Sequence, residues 1–354
     1  MNSKMISSFS DVFHAIWGHA PFPWQRLLAE RLAQGEWPEV LDLPTAAGKT
    51  ACIDIAAWAL AAQADLPVWE RTAPRRIWFV VDRRIVVDEA FARAREIAAQ
   101  LAEAKDGPLK DIADRLRNVS GTERPLAVAR LRGGVLHDDG WARLPSQPAV
   151  ITSTVDQLGS RLLFRGYGHS ARTAPIFAGL AAHDSLILLD EAHLSVPFMQ
   201  TLRAVRRFRG EGWAEAPIRT PFGFAMLSAT PPADVSGDKV FPGRQREAAL
   251  DHPVLHKRIH AGKPATLIEV KAQRSDRDDP LVKEVVAQAR DFVEKQGMQR
   301  TAVVVNRVAR AQQIAESLHD ELGDQADVVL LTGRLRPLER DALVARWQPL
   351  LRAG

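Results

Sequence analysis

The stretch Leu43-Pro44-Thr45-Ala46-Ala47-Gly48-Lys49-Thr50 decides how the rest of this 354-residue chain is read. It ends in Gly-Lys-Thr, follows the strand-like run Glu39-Val40-Leu41-Asp42-Leu43, and opens a helical stretch from Thr50 to Ala64. A strand, a turn and a helix N-terminus make a phosphate cradle. Backbone N–H groups point at the anion, a lysine reaches the β/γ-phosphates, and a hydroxyl enters the magnesium shell. The candidate cradle residues are Thr45, Ala46, Ala47, Gly48, Lys49 and Thr50, with Thr50 a ligand of Mg2+. Leu43 stands where the general pattern G-x-x-x-x-G-K-[ST] has its first glycine, and Ala46 and Ala47 fill the bend. Alanine is small enough for a phosphate to approach the backbone, provided that the bend needs no positive φ.

A lone Gly-Lys-Thr is a weak signal, and a second segment strengthens it. Leu186-Ile187-Leu188-Leu189 reads as a buried strand that delivers Asp190-Glu191-Ala192-His193 at its end. Triphosphate hydrolysis gives the two acids separate tasks. Asp190 would hold Mg2+ through water, and Glu191 would orient and deprotonate the attacking water.

On either side of these segments short β-rich runs alternate with longer helical stretches, which predicts an α/β protein with a mostly parallel sheet covered on both faces. Ile77–Val81, Pro148–Ser153 and Phe222–Leu227 read as further strands, the last running into Ser228-Ala229-Thr230, and Trp24–Gln34 and Val86–Ala104 read as helices. Pro231, Pro232, Gly237, Pro242, Gly243 and Pro253 then mark loop or linker. The expected division is an N-terminal extension over 1–20, a first domain over 21–232, a linker over 233–262 and a second domain over 263–354. In the second domain Thr266–Val270, Thr301–Val305 and Val328–Leu331 read as strands. Helices are expected at Leu281–Lys295, Arg307–Leu322 and Pro337–Trp347. It is short for a complete domain and reads as partial.

Composition narrows the class. A hydrophobic content of 46% suits more than one buried core. No run reaches the roughly 18 apolar residues of a membrane span, and Met1–Asp11 lacks the layout of a signal peptide, so a cytoplasmic protein with no membrane partner is expected. The single cysteine, Cys52, excludes an internal disulfide and is expected to pack as a small apolar residue. A formal charge of +4 is compatible with nucleic acid without demanding it.

The order Gln25, Gly-Lys-Thr, Asp-Glu-Ala-His, Ser-Ala-Thr resembles the superfamily 2 helicases of the DEAH-box branch. This implies tandem RecA-like domains, the first complete and the second partial, with ATP and Mg2+ as cofactors. On that resemblance Gln25, in Phe22-Pro-Trp-Gln25, recognises adenine. His193, Ser228 and Thr230 couple hydrolysis to strand movement. Arg76–Arg84, Thr152–Gly168, Ala302–Asn306 and Leu331–Arg336 are similar to the CRISPR-associated helicase-nuclease of type I systems, the last part of Thr152–Gly168 and Leu331–Arg336 most like its I-U (I-G) variety. The implied partners are single-stranded DNA and a CRISPR RNA-guided surveillance complex. The family's metal-dependent HD nuclease and last helicase motifs are expected beyond Gly354, so nucleotide binding with little unwinding is anticipated.

Loops at the C-terminal ends of the strands are where a nucleic-acid strand would be gripped by its backbone. The candidates are Arg83, Arg84, Thr154, Arg161, Asn306 and Arg334. Phe164 and Tyr167 could stack on bases but are expected to pack under their loop, as isolated aromatics usually do. The dispersed pairs His137-Asp138, His183-Asp184 and His319-Asp320 make no metal site. Two other readings stay open: a different superfamily 2 RNA or DNA helicase, and a non-catalytic nucleotide-sensing module.

Overall fold

The computed structural model describes residues 6–33, 35–82, 84–133, 139–191, 195–230, 235, 237–262, 264–271 and 279–351. Two compact units make up the chain, Met1–Ala261 and Gly262–Gly354.

The first unit carries strands β1 (Val40–Asp42), β2 (Arg76–Val81), β3 (Ala127–Leu131), β4 (Ala149–Thr154), β5 (Ser185–Asp190), β6 (Phe222–Ser228) and β7 (Val240–Phe241). They form one seven-stranded sheet in the order β3-β4-β2-β5-β6-β1-β7, with every pairing parallel. A parallel sheet is stable when both faces are covered, and side-chain alternation shows how this one is. Ile77 and Phe79 of β2 and Leu186 and Leu188 of β5 face one core, while Trp78, Val80, Ile187 and Leu189 face the other. The first core is closed by α1 (Phe9–Trp17), α2 (Pro23–Leu32), α3 (Cys52–Ala62), α4 (Arg84–Glu103) and α5 (Gly107–Ser120). The second takes α6 (Gly140–Arg143), α7 (Val155–Leu162), α8 (Ala174–Ala182) and α9 (Val196–Phe208).

Two stretches are more integrated than their sequences suggest. Residues 1–20 were expected to be an extension, yet α1 buries Phe9, Val12 and Phe13 in the first core. It is also pinned there, because Trp17 Nε1 donates to Asp54 Oδ1 at 2.7 Å and Trp58 Nε1 donates to the Ser7 carbonyl at 3.0 Å. The stretch 233–262, expected to be a linker, supplies β7 at the sheet edge, then α10 (Arg246–Leu250) and α11 (Pro253–Ile259). Phe241, Ala249 and Leu255 are fully buried in the first core, which holds this segment to the first unit.

The second unit contains α12 (Pro280–Glu294), α13 (Val308–Leu322) and α14 (Pro337–Leu351). Val282, Val286 and Ala289 meet Ile314, Leu318 and Leu322 in a small core. Its three expected strands do not pair into a sheet among the described residues. The physical reason is one-sided cover: Val305 and Val328 pack against the α12–α13 core, whereas Leu267 is 97% and Val304 92% exposed. No helix among the described residues is long and apolar enough to cross a membrane.

Candidate nucleotide-binding site

Strand register brings the motifs together. Asp42 of β1 is level with Ser228 of β6, and Leu227 is level with Asp190 of β5. The phosphate-loop candidate, the Ser-Ala-Thr segment and the acidic pair therefore leave the sheet at one C-terminal edge, with β6 in the middle. This is the edge where open α/β sheets present their sites. Backbone bonds fasten both outer segments to β6: Leu43 N–H donates to the Ser228 carbonyl at 3.3 Å, and Glu191 N–H to the Leu227 carbonyl at 3.0 Å. Ser228 is buried, and its Oγ accepts the Thr230 N–H at 3.1 Å, so the turn after β6 is held by its own side chain.

The loop turns on two residues of positive φ, Ala46 at 62° and Gly48 at 77°. The bend thus does need a positive φ at an alanine, which costs an L-residue about 1 kcal/mol. Gly48 suits its position through its backbone and not through space, since a Cβ there would make only ordinary contacts, 3.4 Å from Gln25 Nε2 and 3.6 Å from the Phe22 ring. Gln25 is buried and ties the loop to α2. Its Oε1 accepts the Phe22 N–H at 2.8 Å, and its Nε2 donates to the Gly48 carbonyl at 3.4 Å. Trp24 adds a second tie through Nε1 to the Ala47 carbonyl at 2.9 Å.

Lys49 is buried, its ammonium has no hydrogen-bond partner, and it lies 3.8 Å from Glu191 Oε1. A buried ammonium without acceptors is costly, so a polyanion in the loop fits this donor well. Burial pushes the Asp190 carboxyl up from its ordinary value; nearby Lys49 opposes the shift and Glu191 adds to it. The Glu191 N–H donates to Asp190 Oδ1 at 3.2 Å, and Glu191 itself sits at φ 50°, a turn that aims the second acid away from the strand. Two oxygen donors, Asp190 and the half-buried Thr50, are of the type a hard divalent cation takes. The Cys52 thiol is pushed up by burial and by Asp190 and Asp54, so it is an inert packing group.

Two groups at this site carry no sequence signal. Arg258 of α11 donates through Nη1 to the Ala46 carbonyl at 2.9 Å, with its guanidinium 6.0 Å from the centre of the Phe22 ring. The His252 ring stands edge-on to Phe22 at 4.9 Å. Both follow a Pro/Gly-rich stretch without periodicity, which hid them.

The strand-binding candidates divide. Arg83 and His193 lie outside the described residues. Arg84 is the first residue of α4, Thr154 is buried at the end of β4, and Asn306 and Arg334 are exposed in the second unit. Arg161 is fully buried, against expectation. Its Nη1 donates to the carbonyl and Oε1 of Gln157 at 2.8 and 2.9 Å, and its Nη2 lies 3.1 Å from His169 Nε2. At helical spacing from Leu158 and Leu162 it falls on the inward face of α7, so it cannot touch a strand. Phe164 and Tyr167 reverse the other way, 59% and 53% exposed where packing was expected. Asp184, one of the His-Asp pairs, is buried and spends its carboxylate on Arg71 and Arg75.

No protein-family model and no curated protein matches the sequence. Among solved structures, the chain is similar to the DEAD-box helicase Mss116 bound to ssRNA and UDP-BeF, at TM-score 0.54 and 14% identity over 98% of this chain. It is similar also to the Mycobacterium smegmatis helicase Lhr bound to ssDNA and AMP-PNP, at TM-score 0.52 and 15% identity over 97% of this chain. The matches span 62% and 40% of those two chains. The likeness shows the fold: a RecA-like α/β architecture built on the parallel sheet of the first unit.

Proposed function

We propose that this chain is an ATP-dependent nucleic-acid helicase or translocase. On the motifs quoted above, the finer reading is the helicase portion of a type I CRISPR helicase-nuclease that acts on single-stranded DNA delivered by an RNA-guided complex. The observation that carries the motor reading is the buried Lys49 ammonium, without a hydrogen-bond acceptor and 3.8 Å from Glu191 two strands away. Bound Mg–ATP would supply the scissile phosphoanhydride and neutralise its developing charge. Lys49 and the N–H groups of residues 45–50 would hold the β- and γ-phosphate oxygens, and Gln25 the adenine. Thr50 and Asp190 would hold the cation. Glu191, half-buried, would orient water and take its proton. Ser228 and Thr230 are suited to coupling, because β6 touches both the loop and the acidic pair.

Binding of a fluorescent ATP analogue and strand-stimulated phosphate release test this. Lys49→Ala should weaken nucleotide binding by at least about 10-fold, a charge-assisted contact being worth that much. Glu191→Gln should keep binding and lose about 10²- to 10⁴-fold in turnover. Wild-type binding and turnover in both variants would sink the motor reading. Stimulation by single-stranded RNA in preference to DNA would favour another superfamily 2 helicase over the CRISPR reading.

A further inference from the structure

The loop between α7 and α8 turns its aromatic side chains outward and holds them there from below. Leu163, Phe164 and Tyr167 are all more than half exposed. Phe164 has φ 60°, a conformation that a bulky L-residue adopts only at a cost, and its N–H donates to the Arg161 carbonyl at 3.1 Å. Gly166 and Gly168 flank Tyr167, so no neighbouring side chain in sequence covers its ring. Beneath the loop lies the buried Arg161, bound to Gln157 and within 3.1 Å of His169, whose ring stacks on Phe177 with centroids 3.9 Å apart. A buried arginine is a costly scaffold unless its hydrogen bonds fix something in place, and what these fix is the position of residues 163–169.

The charge around the loop is one-sided. From Gln157 to Ala182 the sequence has no Asp or Glu. Arg165 and Arg172 are exposed, and neither guanidinium has a partner among the described residues. The carboxylates that approach the scaffold are Asp139, 3.7 Å from His169 Nε2, and Asp156, in the first turn of α7. Exposed rings beside unpaired guanidiniums match a polymer of π-faces and phosphates. Protein docking patches also favour aromatic rings and arginine, but a strip with two exposed arginines and no carboxylate from 157 to 182 favours a polyanion.

We propose that residues 163–172 form a stacking platform for single-stranded nucleic acid, Phe164 and Tyr167 lying against bases and Arg165 and Arg172 along the phosphates. This rests on the reading of the chain as a nucleic-acid motor. It assigns strand contact to side chains next to Arg161, and leaves Arg161 itself as the positioning residue beneath them.

Fluorescence anisotropy of the 354-residue chain with a labelled single-stranded DNA oligonucleotide of mixed sequence, and with its RNA counterpart, tests the platform. Phe164→Ala with Tyr167→Ala should weaken strand binding roughly 10- to 100-fold, while binding of a fluorescent ATP analogue and the unfolding temperature stay unchanged. Tyr167→Phe should bind as wild type, and Phe164→Leu should not, because stacking needs the π-face and not only the apolar area. Arg165→Ala should lower the slope of log affinity against log salt by about one. A DNA-over-RNA difference lost in the double variant would place the discrimination at this loop, and retained affinity for both strands in that variant overturns the platform alone. No strand binding by wild type overturns the motor reading with it. A change in oligomeric state without change in strand affinity would mark the patch as a self-association surface and also overturn the proposal.

Discussion

Leu43 occupies the first-glycine position of the phosphate-loop pattern, and its surroundings explain why glycine is not needed there. The side chain is fully buried in the first core, and its N–H is committed to the Ser228 carbonyl, so this position belongs to the sheet and not to the bend. Restoring the pattern with Leu43→Gly should therefore harm the protein. Removing a buried leucine side chain costs about 2–5 kcal/mol, and urea unfolding of Leu43→Gly should show a loss of at least the lower figure. Asp190 shows the opposite tension between site and stability. Because burial raises its pKa in the folded state, the folded chain binds the proton more tightly than the unfolded chain does. Its contribution to stability is fully present below the ordinary aspartate value of 3.8 and is lost as pH rises through the raised folded-state value. Asp190→Asn should accordingly be more stable than wild type at neutral pH without nucleotide or cation, and the gap should close on acidification; thermal unfolding across pH checks this. A variant less stable at neutral pH would mean that Asp190 is retained for packing rather than for a ligand.

At the scale of elements, α11 is the informative one. Its buried Leu255 anchors it in the first core, and that anchor places Arg258 at the Ala46 carbonyl and His252, which caps the helix by accepting the Val254 N–H, against Phe22. Arg258 braces the strained residue of the loop. Arg258→Ala should weaken binding of a fluorescent ATP analogue by about 5-fold, the worth of one such hydrogen bond, and Lys257→Ala, exposed on the same helix, should not. Equal affinities would mean that the brace does not serve the nucleotide. The elements legible in the sequence are those with apolar residues in a regular pattern: β1, β2, β4, β5 and β6, and helices α2, α3, α4, α12, α13 and α14. β3 carries little strand signal because two of the five residues in Ala127-Val-Ala-Arg-Leu131 are alanine, and β7 carries none because two residues make no pattern. In α1 the signal exists, with Phe9, Val12 and Phe13 at helical spacing, but it straddles the end of a polar N-terminal window. Of the site, the chemistry-bearing residues were legible from motif spacing. Which way α7 turns Arg161 was not, since a charged residue on a helix is normally an outward one.

At the scale of the whole chain, the described residues named at the candidate nucleotide site run from Phe22 to Arg258 and belong to the first unit. Both cores that support that site lie there too, whereas the second unit, among its described residues, buries six hydrophobic residues between α12 and α13 and leaves Leu267 and Val304 exposed. The stability of the nucleotide site should then be independent of residues 262–354. A fragment spanning 1–261 should unfold cooperatively and bind a fluorescent ATP analogue within about two-fold of the whole chain, as expected of a domain with its own core. Strand-stimulated turnover should behave differently, because Asn306 and Arg334 belong to the second unit and a motor that moves along a strand must change its grip between two bodies. Whatever stimulation the whole chain shows should be absent from the fragment while its nucleotide affinity persists. Loss of affinity in a well-folded fragment would show nucleotide binding to be a property of the whole chain, and full stimulation in the fragment would remove the second unit from the motor.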